Sequence, residues 1–324
     1  MTLTLDPEFE KAVAPLRALL PVSPDFKPDD IDGRRRFANR IVAQLDVTNA
    51  LPSDVEITKH TAISADNHAV PVYRFRPINV KSNAAQSRGS PAILHIHGGG
   101  MVMGDVASNK HGLAAQATSY GIQIFSVEYR LAPEARHPTL VEDCYAALLW
   151  LHSKSSSFQI DPVRIAILGE SAGGGLAAGV ALMARDQGLC PPLAKQILIY
   201  PMLDDRNTLP SKAVEPFAVW KTADNAAAWR AVLGDLAGTA GVSPYAAPAR
   251  ATNLSGLPPT YIDVGGLDIF RDEDMQYAMR LAQANVPVEF HLYPGVPHGF
   301  ENVSVGISVT DRALENRRRA ISNI

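Results

Sequence analysis

The sequence predicts an α/β fold in which a mostly parallel central sheet is flanked by helices and covered by a helical cap. Three observations lead to this prediction. Short apolar runs alternate with segments of helical spacing, glycine-rich turns follow two of those runs, and one long insertion interrupts the alternation. The chain has 324 residues and 46% hydrophobic content, enough for one large core with or without a smaller lid.

The composition gives no reason to expect a nucleic-acid or membrane partner. Charged residues make up 19% of the chain and the net charge is −3, so nothing indicates a nucleic acid or an anionic membrane as partner. The two cysteines, Cys144 and Cys190, cannot form a disulfide framework, which fits a reducing compartment. Neither a signal-peptide pattern nor an apolar stretch of about 18 residues is evident. We therefore expect a cytoplasmic protein.

The first part of the chain predicts helices and a hairpin. Residues 1–50 have an interrupted helical pattern that prolines divide, and we interpret them as N-terminal cap helices. Within them Arg34-Arg35-Arg36 is interpreted as a solvated helix face. Alternating runs at 55–63 and 70–76, with a turn-like Asp-Asn pair between them, predict a β-hairpin. The polar stretch 79–90 is predicted to be a loop.

The remaining elements predict the core, in two parts at 51–202 and 246–324. Buried strands that alternate with helices indicate a mostly parallel, doubly wound sheet, whose ligands lie beyond the carboxyl ends of the strands. The predicted strands of this part are 92–97, 122–127, 164–168, 197–200, 260–264 and 288–293, and the predicted helices are 139–152, 176–185, 271–285 and 310–321.

A long insertion at 203–245 separates two of these strands. It contains Phe217, Trp220 and Trp229, and it is too long for an ordinary connection. We interpret it as the second part of the cap, at the edge of the sheet where a ligand would lie. Its aromatic side chains either form walls of an acyl pocket or only pack the cap onto the core, and the sequence leaves both roles open.

The strongest functional motif is Gly169-Glu170-Ser171-Ala172-Gly173, which follows an apolar run and opens a helical segment. A strand, a sharp turn and a helix in this order form a nucleophile elbow, which exposes a serine hydroxyl at a strained tip. Glycines two residues before and after the serine remove side chains that would clash. This context predicts Ser171 as a nucleophile, although the short pattern also occurs by chance in glycine-rich turns.

A second motif, His97-Gly98-Gly99-Gly100, directly follows a predicted strand. Consecutive glycines let backbone N–H groups turn inward, and with the N–H of Ala172 they would bind the oxyanion of a tetrahedral intermediate. An ordinary tight turn is the alternative. His95 and His97 alternate as metal ligands on a strand do, but no third ligand has matching spacing, so we expect no metal. We expect His97 to orient the glycine loop through hydrogen bonds.

A serine nucleophile requires a base and a carboxylate that orients the base. Among the nine histidines, His298 is favoured because it lies in a proline- and glycine-rich loop after a predicted strand. Asp268 is the favoured acid because it follows the strand at 260–264 and precedes the histidine, as the elbow fold requires. The other candidates for the acid are Asp263 inside that strand and Asp272 and Asp274 in the next helix.

Six short motifs occur in a fixed order between about residues 90 and 300. They are His97–Gly100, Tyr129-Arg130-Leu131-Ala132-Pro133-Glu134, residues 169–174, Leu257-Pro258-Pro259-Thr260, Asp268 with Arg271-Asp272-Glu273, and His298-Gly299-Phe300. In these motifs the chain resembles the hormone-sensitive-lipase family of bacterial carboxylesterases. The resemblance implies the α/β-hydrolase fold and a triad of Ser171, Asp268 and His298. It also implies an oxyanion hole formed by the N–H groups of Gly99, Gly100 and Ala172, and a cap built from the two segments described above.

Three positions depart from the pattern of that family. Glu170 stands where aspartate is commonest, Met101 replaces an aromatic residue after the glycines, and Ile269 replaces a proline after the acid. None of these removes a catalytic group. A flexible methionine at 101 would make the alcohol side of the substrate pocket more pliable.

Two other functions compete with that of an esterase. Gly173, Gly175 and Ala178 fit a dinucleotide-binding pattern, but the elbow serine intervenes and no acidic residue ends a second strand about 20 residues on. Some proteins of this fold are non-catalytic receptors for small molecules that lack a working triad, typically its histidine. Because Ser171, Asp268 and His298 are all present, the sequence favours a serine esterase that uses no cofactor.

The sequence therefore predicts a carboxylesterase for small esters with short to medium acyl chains. It does not specify the physiological substrate, the alcohol or the stereochemical preference. The strand at 288–293 is predicted to lie at a sheet edge. There it could pair with the same strand of a second copy and so form a homodimer.

Overall fold

Eight strands form one sheet in the part of the chain that the computed structural model describes, which is residues 2–19, 21, 23–24, 26–45, 51–78, 89–209 and 211–324. The strands are β1 (Val55–Ile63), β2 (Ala69–Pro77), β3 (Ser90–Ile96), β4 (Gln123–Val127), β5 (Ile160–Glu170), β6 (Lys195–Ile199), β7 (Thr260–Gly265) and β8 (Val288–Tyr293). Their order across the sheet is β1-β2-β4-β3-β5-β6-β7-β8. β2 pairs antiparallel with β1 and β4, and all other neighbours are parallel. The predicted mostly parallel sheet is confirmed.

Helices cover both faces of this sheet. They are α1 (Pro7–Leu19), α2 (Ile31–Leu45), α3 (Val106–Tyr120), α4 (Thr139–Lys154), α5 (Ala172–Asp186), α6 (Thr222–Leu233), α7 (Arg271–Gln283) and α8 (Ser308–Ser322). Side chains of α4, α5 and α7 belong to the larger core cluster, whereas α3 and α8 contribute to a second cluster. The central strands are therefore buried on both sides, which explains why they are continuously apolar rather than alternating.

The predicted hairpin and the predicted edge strand are both confirmed. β1 pairs with β2 from Val55 opposite Pro77 to Ile63 opposite Ala69, and Asn67 in the connecting turn has a left-handed φ of 65°. β8 ends the sheet, and α8 closes the chain as the sequence predicts. Of the loop predicted at 79–90, residues 79–88 lie outside the described part of the chain.

The interpretation of Arg34-Arg35-Arg36 as a solvated face is wrong for two of its three residues. Arg34 is only 4% exposed, and its guanidinium pairs with Asp224 of α6 at 2.8 Å. Arg35 donates to the backbone carbonyls of Val102 at 2.6 Å and Ala132 at 2.8 Å. The guanidinium groups of both residues are hydrogen-bonded rather than solvated, because carbonyl and carboxylate acceptors from distant segments lie beside α2. Only Arg36 is exposed.

Arg35 also binds the Tyr129–Glu134 motif through a bidentate ion pair. Its two terminal nitrogens each lie 2.7 Å from one carboxylate oxygen of Glu134. Hydrogen bonds from Arg35 lower the pKa of the Glu134 carboxyl to about 2. Because Glu134 is largely exposed, this pair alone contributes little to the free energy of folding. The buried carbonyl contacts of Arg35 are what fix α2 against the core.

The insertion at 203–245 contains α6 and two short 3-10 helices, Glu215–Phe217 and Gly234–Leu236. Residue 210 of the insertion, and residues 46–50 of the predicted N-terminal cap segment, lie outside the described part of the chain. In the described ranges none of the helices has the length and apolar character needed to span a bilayer. Cys144 is buried and Cys190 is exposed, and neither forms a disulfide.

One buried carboxyl group in α7 is expected to destabilise the fold at neutral pH. Asp274 is 0% exposed, and neither of its side-chain oxygens has a hydrogen-bond partner among the described residues. Burial raises the pKa of the Asp274 carboxyl well above its usual range, and the neighbouring carboxylates of Glu273, Asp268 and Asp263 raise it further. The folded state therefore binds this proton more tightly than the unfolded state does, so the group's contribution to stability falls as pH rises above the unfolded pKa.

Replacing Asp274 with asparagine is expected to increase the free energy of unfolding at pH 8 by about 1–3 kcal/mol. The gain should be smaller at pH 5, where the native carboxyl holds its proton at less cost. Urea unfolding at both pH values measures the difference. Asp272→Asn serves as the control, since this neighbouring carboxylate is 63% exposed and should change stability little at either pH. An equal gain at pH 5 and pH 8 would contradict the expected titration.

Candidate active site

The predicted nucleophile lies on a sharp turn between β5 and α5. Ser171 follows the last residue of β5, precedes the first residue of α5, and has φ 56° and ψ −123°. A Cβ atom on Gly173 would collide with the carbonyl oxygen of Ile96, and one on Gly169 would collide with the carbonyl of Gly173. Only glycine fits at either position, so the sequence pattern follows from this close approach. The strained serine costs about 1–3 kcal/mol, which the surrounding packing must offset.

Ser171, His298 and Asp268 form one line of hydrogen-bonded groups. The Ser171 hydroxyl oxygen lies 3.0 Å from Nε2 of His298, and Nδ1 of His298 lies 2.6 Å from a carboxylate oxygen of Asp268. Asp268 is 1% exposed, and its second oxygen accepts the backbone N–H of Phe270 at 3.0 Å. The carboxylate is thus fixed at both oxygens, and it holds the imidazole with Nε2 towards the serine.

The other three candidates for the acid have different surroundings. Asp263 accepts hydrogen bonds from Arg317 and Tyr261, and Asp272 is exposed beside Arg271. Asp274 is buried without a partner among the described residues. The structure therefore brings Asp268, and none of these three, to the imidazole of His298.

The glycine loop after β3 lies directly beside the serine. A Cβ on Gly98 would be 3.3 Å from Cβ of Ser171. Gly99 and Gly100 have φ angles of 113° and 63°. Within the described ranges, the N–H groups of Gly99, Gly100 and Ala172 donate to no backbone or side-chain acceptor. An oxyanion hole requires donors without a protein acceptor, and the assignment of this role to Gly99, Gly100 and Ala172 stays a prediction.

His97 supports this loop from below the site. It is completely buried and stacks on Tyr129 with 4.3 Å between ring centroids. Burial lowers the pKa of His97 to about 4, so the neutral ring donates from Nδ1 to the Gly98 carbonyl at 2.8 Å. The Tyr129 hydroxyl donates to the His97 carbonyl at 3.0 Å. These contacts agree with the expectation that His97 orients the glycine loop.

Glu170 has a partner of its own. Its carboxylate lies 2.8 Å from Nε2 of the buried His95, whose other nitrogen lies 2.8 Å from the Ser126 hydroxyl. His95 and His97 therefore have separate partners. Among the described residues there is no group of three or more His, Cys, Asp or Glu side chains placed to hold a metal ion.

The four predicted pocket residues occupy different environments. Trp220 is half-buried and lies over the glycine loop, because a Cβ on Gly100 would be 2.7 Å from its indole ring. Met101, directly after the loop, and Trp229 on α6 are each 1% exposed within the larger core cluster. Phe217 is half-buried in the 3-10 helix. The structure thus brings Trp220 to the predicted oxyanion hole, and the pocket roles stay predictions.

Two aromatic residues beside His298 were not predicted from the sequence. The ring of Tyr200 lies 4.4 Å from the imidazole centroid, and the ring of Phe270 lies 5.3 Å from it in an edge-on arrangement. Tyr200 directly follows β6, and Phe270 lies two residues after Asp268. Their position at the carboxyl ends of strands was the available signal, since the predicted triad residues follow strands in the same way.

A serine hydroxyl aligned with an imidazole and a buried carboxylate is arranged for nucleophilic attack on a carbonyl group. Together with the mostly parallel sheet, this geometry defines the class of α/β hydrolases. The chain belongs to the alpha/beta hydrolase fold family, whose sequence profile matches residues 93–302. The resemblance to the hormone-sensitive-lipase type of this family is thereby confirmed.

Similar proteins are esterases. The chain is 40% identical to the esterase LipI of Mycobacterium tuberculosis over 234 residues, which cover 69% of this chain and 71% of that protein. It is 35% identical to the carboxylesterase NlhH of the same organism over 261 residues, or 78% and 79% of the two chains. The solved structure of a bacterial heroin esterase superposes with a TM-score of 0.86 at 37% identity, covering 98% and 97% of the chains. The chain is a carboxylic ester hydrolase.

Proposed function

We propose that this enzyme is a serine carboxylesterase that works through an acyl-enzyme on Ser171. The observation that carries the proposal is the continuous line from the Ser171 hydroxyl through His298 to Asp268, with distances of 3.0 and 2.6 Å. Such a line raises the nucleophilicity of a hydroxyl that is otherwise a weak nucleophile at neutral pH.

The first half of the reaction forms the acyl-enzyme. The Ser171 oxygen attacks the ester carbonyl carbon while Nε2 of His298 takes its proton, and the carbonyl oxygen becomes an oxyanion. The N–H groups of Gly99, Gly100 and Ala172 donate to that oxyanion. The imidazolium then returns its proton to the alcohol oxygen as the carbon–oxygen bond breaks.

The second half of the reaction releases the acid. Water replaces the alcohol, gives a proton to His298, and attacks the acyl-enzyme carbonyl. The tetrahedral intermediate collapses to the carboxylic acid, and the proton on the imidazole returns to the Ser171 oxygen. Asp268 keeps its hydrogen bond with Nδ1 of His298 throughout and stabilises the imidazolium. The balance of atoms is one ester and one water for one acid and one alcohol, and no cofactor is needed.

A non-catalytic receptor of the same fold is the alternative function. The hydrogen-bonded position of His298 argues against it, since a receptor needs no base 3.0 Å from an elbow serine. A dinucleotide-binding function has less support. Gly173, Gly174 and Gly175 are buried inside α5, which leaves their backbone no approach to a pyrophosphate.

Trp220 supports a substrate pocket closed to long acyl chains. The indole lies over Gly100 and so occupies space next to the carbonyl-binding end of the site. We propose a preference for esters with about two to eight acyl carbons, because each further methylene contributes up to about 0.8 kcal/mol only while the pocket has room for it.

Replacing Trp220 with alanine is expected to move the optimum of kcat/KM towards longer acyl chains. The measurement is hydrolysis of 4-nitrophenyl esters of increasing acyl length, with the melting temperature recorded for each variant. Trp150→Ala is the matched control, because Trp150 in α4 packs against Phe125 of β4 and against Phe158. If Trp220→Ala lowers the melting temperature and leaves the chain-length profile unchanged, the residue only packs the cap. A wild-type preference for long-chain triglyceride emulsions would overturn the closed pocket.

A homodimer through the outer edge of β8 is proposed as well. This edge has no neighbouring strand among the described residues, and Leu292 on it is 39% exposed. Two β8 strands related by a two-fold axis would satisfy each other's backbone groups. Sedimentation velocity is expected to show a dimer that Leu292→Asp weakens, since like charges would face each other across the axis. A wild-type monomer at all micromolar concentrations would contradict the proposal.

The remaining sequence-based expectations stay predictions. They are the cytoplasmic location, the absence of a nucleic-acid partner, and the division into cap segments at 1–50 and 203–245 and core segments at 51–202 and 246–324.

A further inference from the structure

Tyr200 adopts a strained backbone conformation at the edge of the active site. Its φ is 36°, a left-handed value that costs a bulky aromatic residue free energy. Such strain persists only where surrounding contacts over-determine it, and it concentrates at functional sites. Here the Tyr200 N–H donates to the Asp263 carbonyl at 2.7 Å. Two residues later, the Met202 N–H donates to the Ser171 carbonyl at 2.9 Å. The strained turn is therefore attached directly to the elbow.

The strain brings the phenol ring against the predicted base. The ring centroids of Tyr200 and His298 are 4.4 Å apart, with 60° between the ring planes. Phe270 meets the same imidazole edge-on at 5.3 Å. With Asp268 fixing Nδ1, these two rings restrict the remaining tilt of the imidazole.

A buried ionic network holds the far end of the phenol. The Tyr200 hydroxyl donates to a carboxylate oxygen of Glu301 at 2.6 Å, and Arg317 donates to the same oxygen at 2.6 Å. Arg317 also binds both oxygens of Asp263, at 2.7 and 2.9 Å. The guanidinium carbon lies 5.6 Å from the centroid of the phenol ring. Tyr200 therefore contacts the imidazole of His298 at one side and this network at its hydroxyl end.

Stability alone does not account for this network. Two carboxylates and one guanidinium leave an excess negative charge in a region where Asp263 is 0% and Arg317 is 6% exposed. Burying such charges carries a desolvation penalty that their attraction offsets only with excellent geometry, and apolar groups of similar volume are often equally stable. The network takes no part in the proposed proton transfers. It contacts Tyr200 at the hydroxyl, the ring and the backbone N–H, which indicates that Tyr200 is the residue it orders.

We propose that Tyr200, fixed by Glu301 and Arg317, is a positioning residue that holds the imidazole of His298 in line with Ser171. The proposal rests on the proposed function, in which His298 is the base. Misplacing a catalytic group by about 1 Å costs roughly 100-fold in rate, so a freely tilting imidazole would lower kcat. Substrate does not contact Glu301 or Arg317 in this scheme, so KM should not follow kcat.

The test compares two single-hydroxyl deletions in the same region. Tyr200→Phe removes the hydroxyl bound to Glu301, and Tyr261→Phe removes a hydroxyl that donates to Asp263 at 2.8 Å without touching His298. Both lose one buried hydrogen bond to a carboxylate that Arg317 also binds. We expect similar shifts of the urea unfolding midpoint for the two variants. Only Tyr200→Phe should lower kcat, by roughly 10- to 100-fold, with KM nearly unchanged.

A spectroscopic measurement reports the imidazole position directly. The Nδ1–H proton of His298, hydrogen-bonded to Asp268 at 2.6 Å, should give a strongly downfield ¹H NMR resonance. We expect this resonance to broaden in Tyr200→Phe and to stay sharp in Tyr261→Phe. Glu301→Gln, which keeps an oxygen acceptor for the phenol, should retain more activity than Tyr200→Phe.

Each outcome separates the two proposals. A wild-type enzyme that hydrolyses no ester overturns the proposed function. An active wild type with unchanged kcat and resonance in Tyr200→Phe overturns the positioning role alone. Equal losses of kcat in Tyr200→Phe and Tyr261→Phe would show that the network acts only on stability. That result would also overturn the positioning role of Tyr200.

Discussion

Replacing Ser171 with alanine is expected to lower kcat for ester hydrolysis by about 10⁴- to 10⁶-fold. The hydroxyl oxygen is the atom that attacks the carbonyl, and no other hydroxyl shares its contact with Nε2 of His298 within the described part of the chain. Hydrolysis of a short-chain aryl ester measures the loss. An organophosphonate should label the wild type with a stoichiometry near one, and peptide mapping should place the label on residue 171.

Ser64→Ala is the matched control for the nucleophile. Ser64 is 3% exposed, and its hydroxyl has no partner among the described residues, so it resembles Ser171 in burial but lies directly after β1. The control should keep wild-type activity and labelling. If Ser171→Ala retained most of its rate, or the label mapped to a different residue, the proposed mechanism would fall.

Replacing Asp268 with asparagine is expected to lower kcat by about 10⁴-fold while the fold is retained. The Phe270 N–H occupies one carboxylate oxygen at 3.0 Å, so the amide oxygen of asparagine would take that position. The amide NH₂ would then face Nδ1 of His298 and donate to it. The imidazole proton would move to Nε2, where it points at Ser171, and the base could no longer accept the serine proton.

Circular dichroism and a pH–rate profile check this expectation. Asp272→Asn is the control, since this carboxylate lies in the same region but is exposed and pairs with Arg271. Its activity should equal that of the wild type. Near-normal activity in Asp268→Asn would show that Asp268 is not the acid of the triad. The other candidates, Asp263, Asp272 and Asp274, would then have to be tested.

The predicted triad could be found from sequence because its residues follow strands and carry local signals. The glycines around Ser171 are required by backbone contacts at the turn itself. Asp268 and His298 each follow a strand in the chain order of this fold. The hairpin before the core was predictable for the same reason, since alternation and a turn-forming pair are local properties.

The errors and omissions arise from contacts between distant segments. Arg34 and Arg35 look like a solvated charge run because their acceptors lie up to 190 residues away in the chain. Tyr200 follows an ordinary apolar strand, and its hydroxyl donates to Glu301, 101 positions later in the chain. Asp274 occupies a helix turn where acids are usual, and only the tertiary fold buries it. Sequence periodicity carries no information about such partners.

The two arginines of α2 have a consequence for exchanging parts between relatives. Arg34 pairs with Asp224 of α6, whereas Arg35, on the next residue, holds the carbonyl of Val102 just after the glycine loop. A chimera that takes α6 from a relative but keeps this α2 would leave the buried guanidinium of Arg34 without a carboxylate partner. The exception is a relative that has an acidic residue at the position of Asp224. The pair of Arg34 and Asp224 thus couples α2 to the insertion, although some 190 residues of chain lie between the two side chains, and Arg35 couples the same helix to the core. In a chimera made to alter the substrate range, α2 and the insertion should therefore come from the same parent protein.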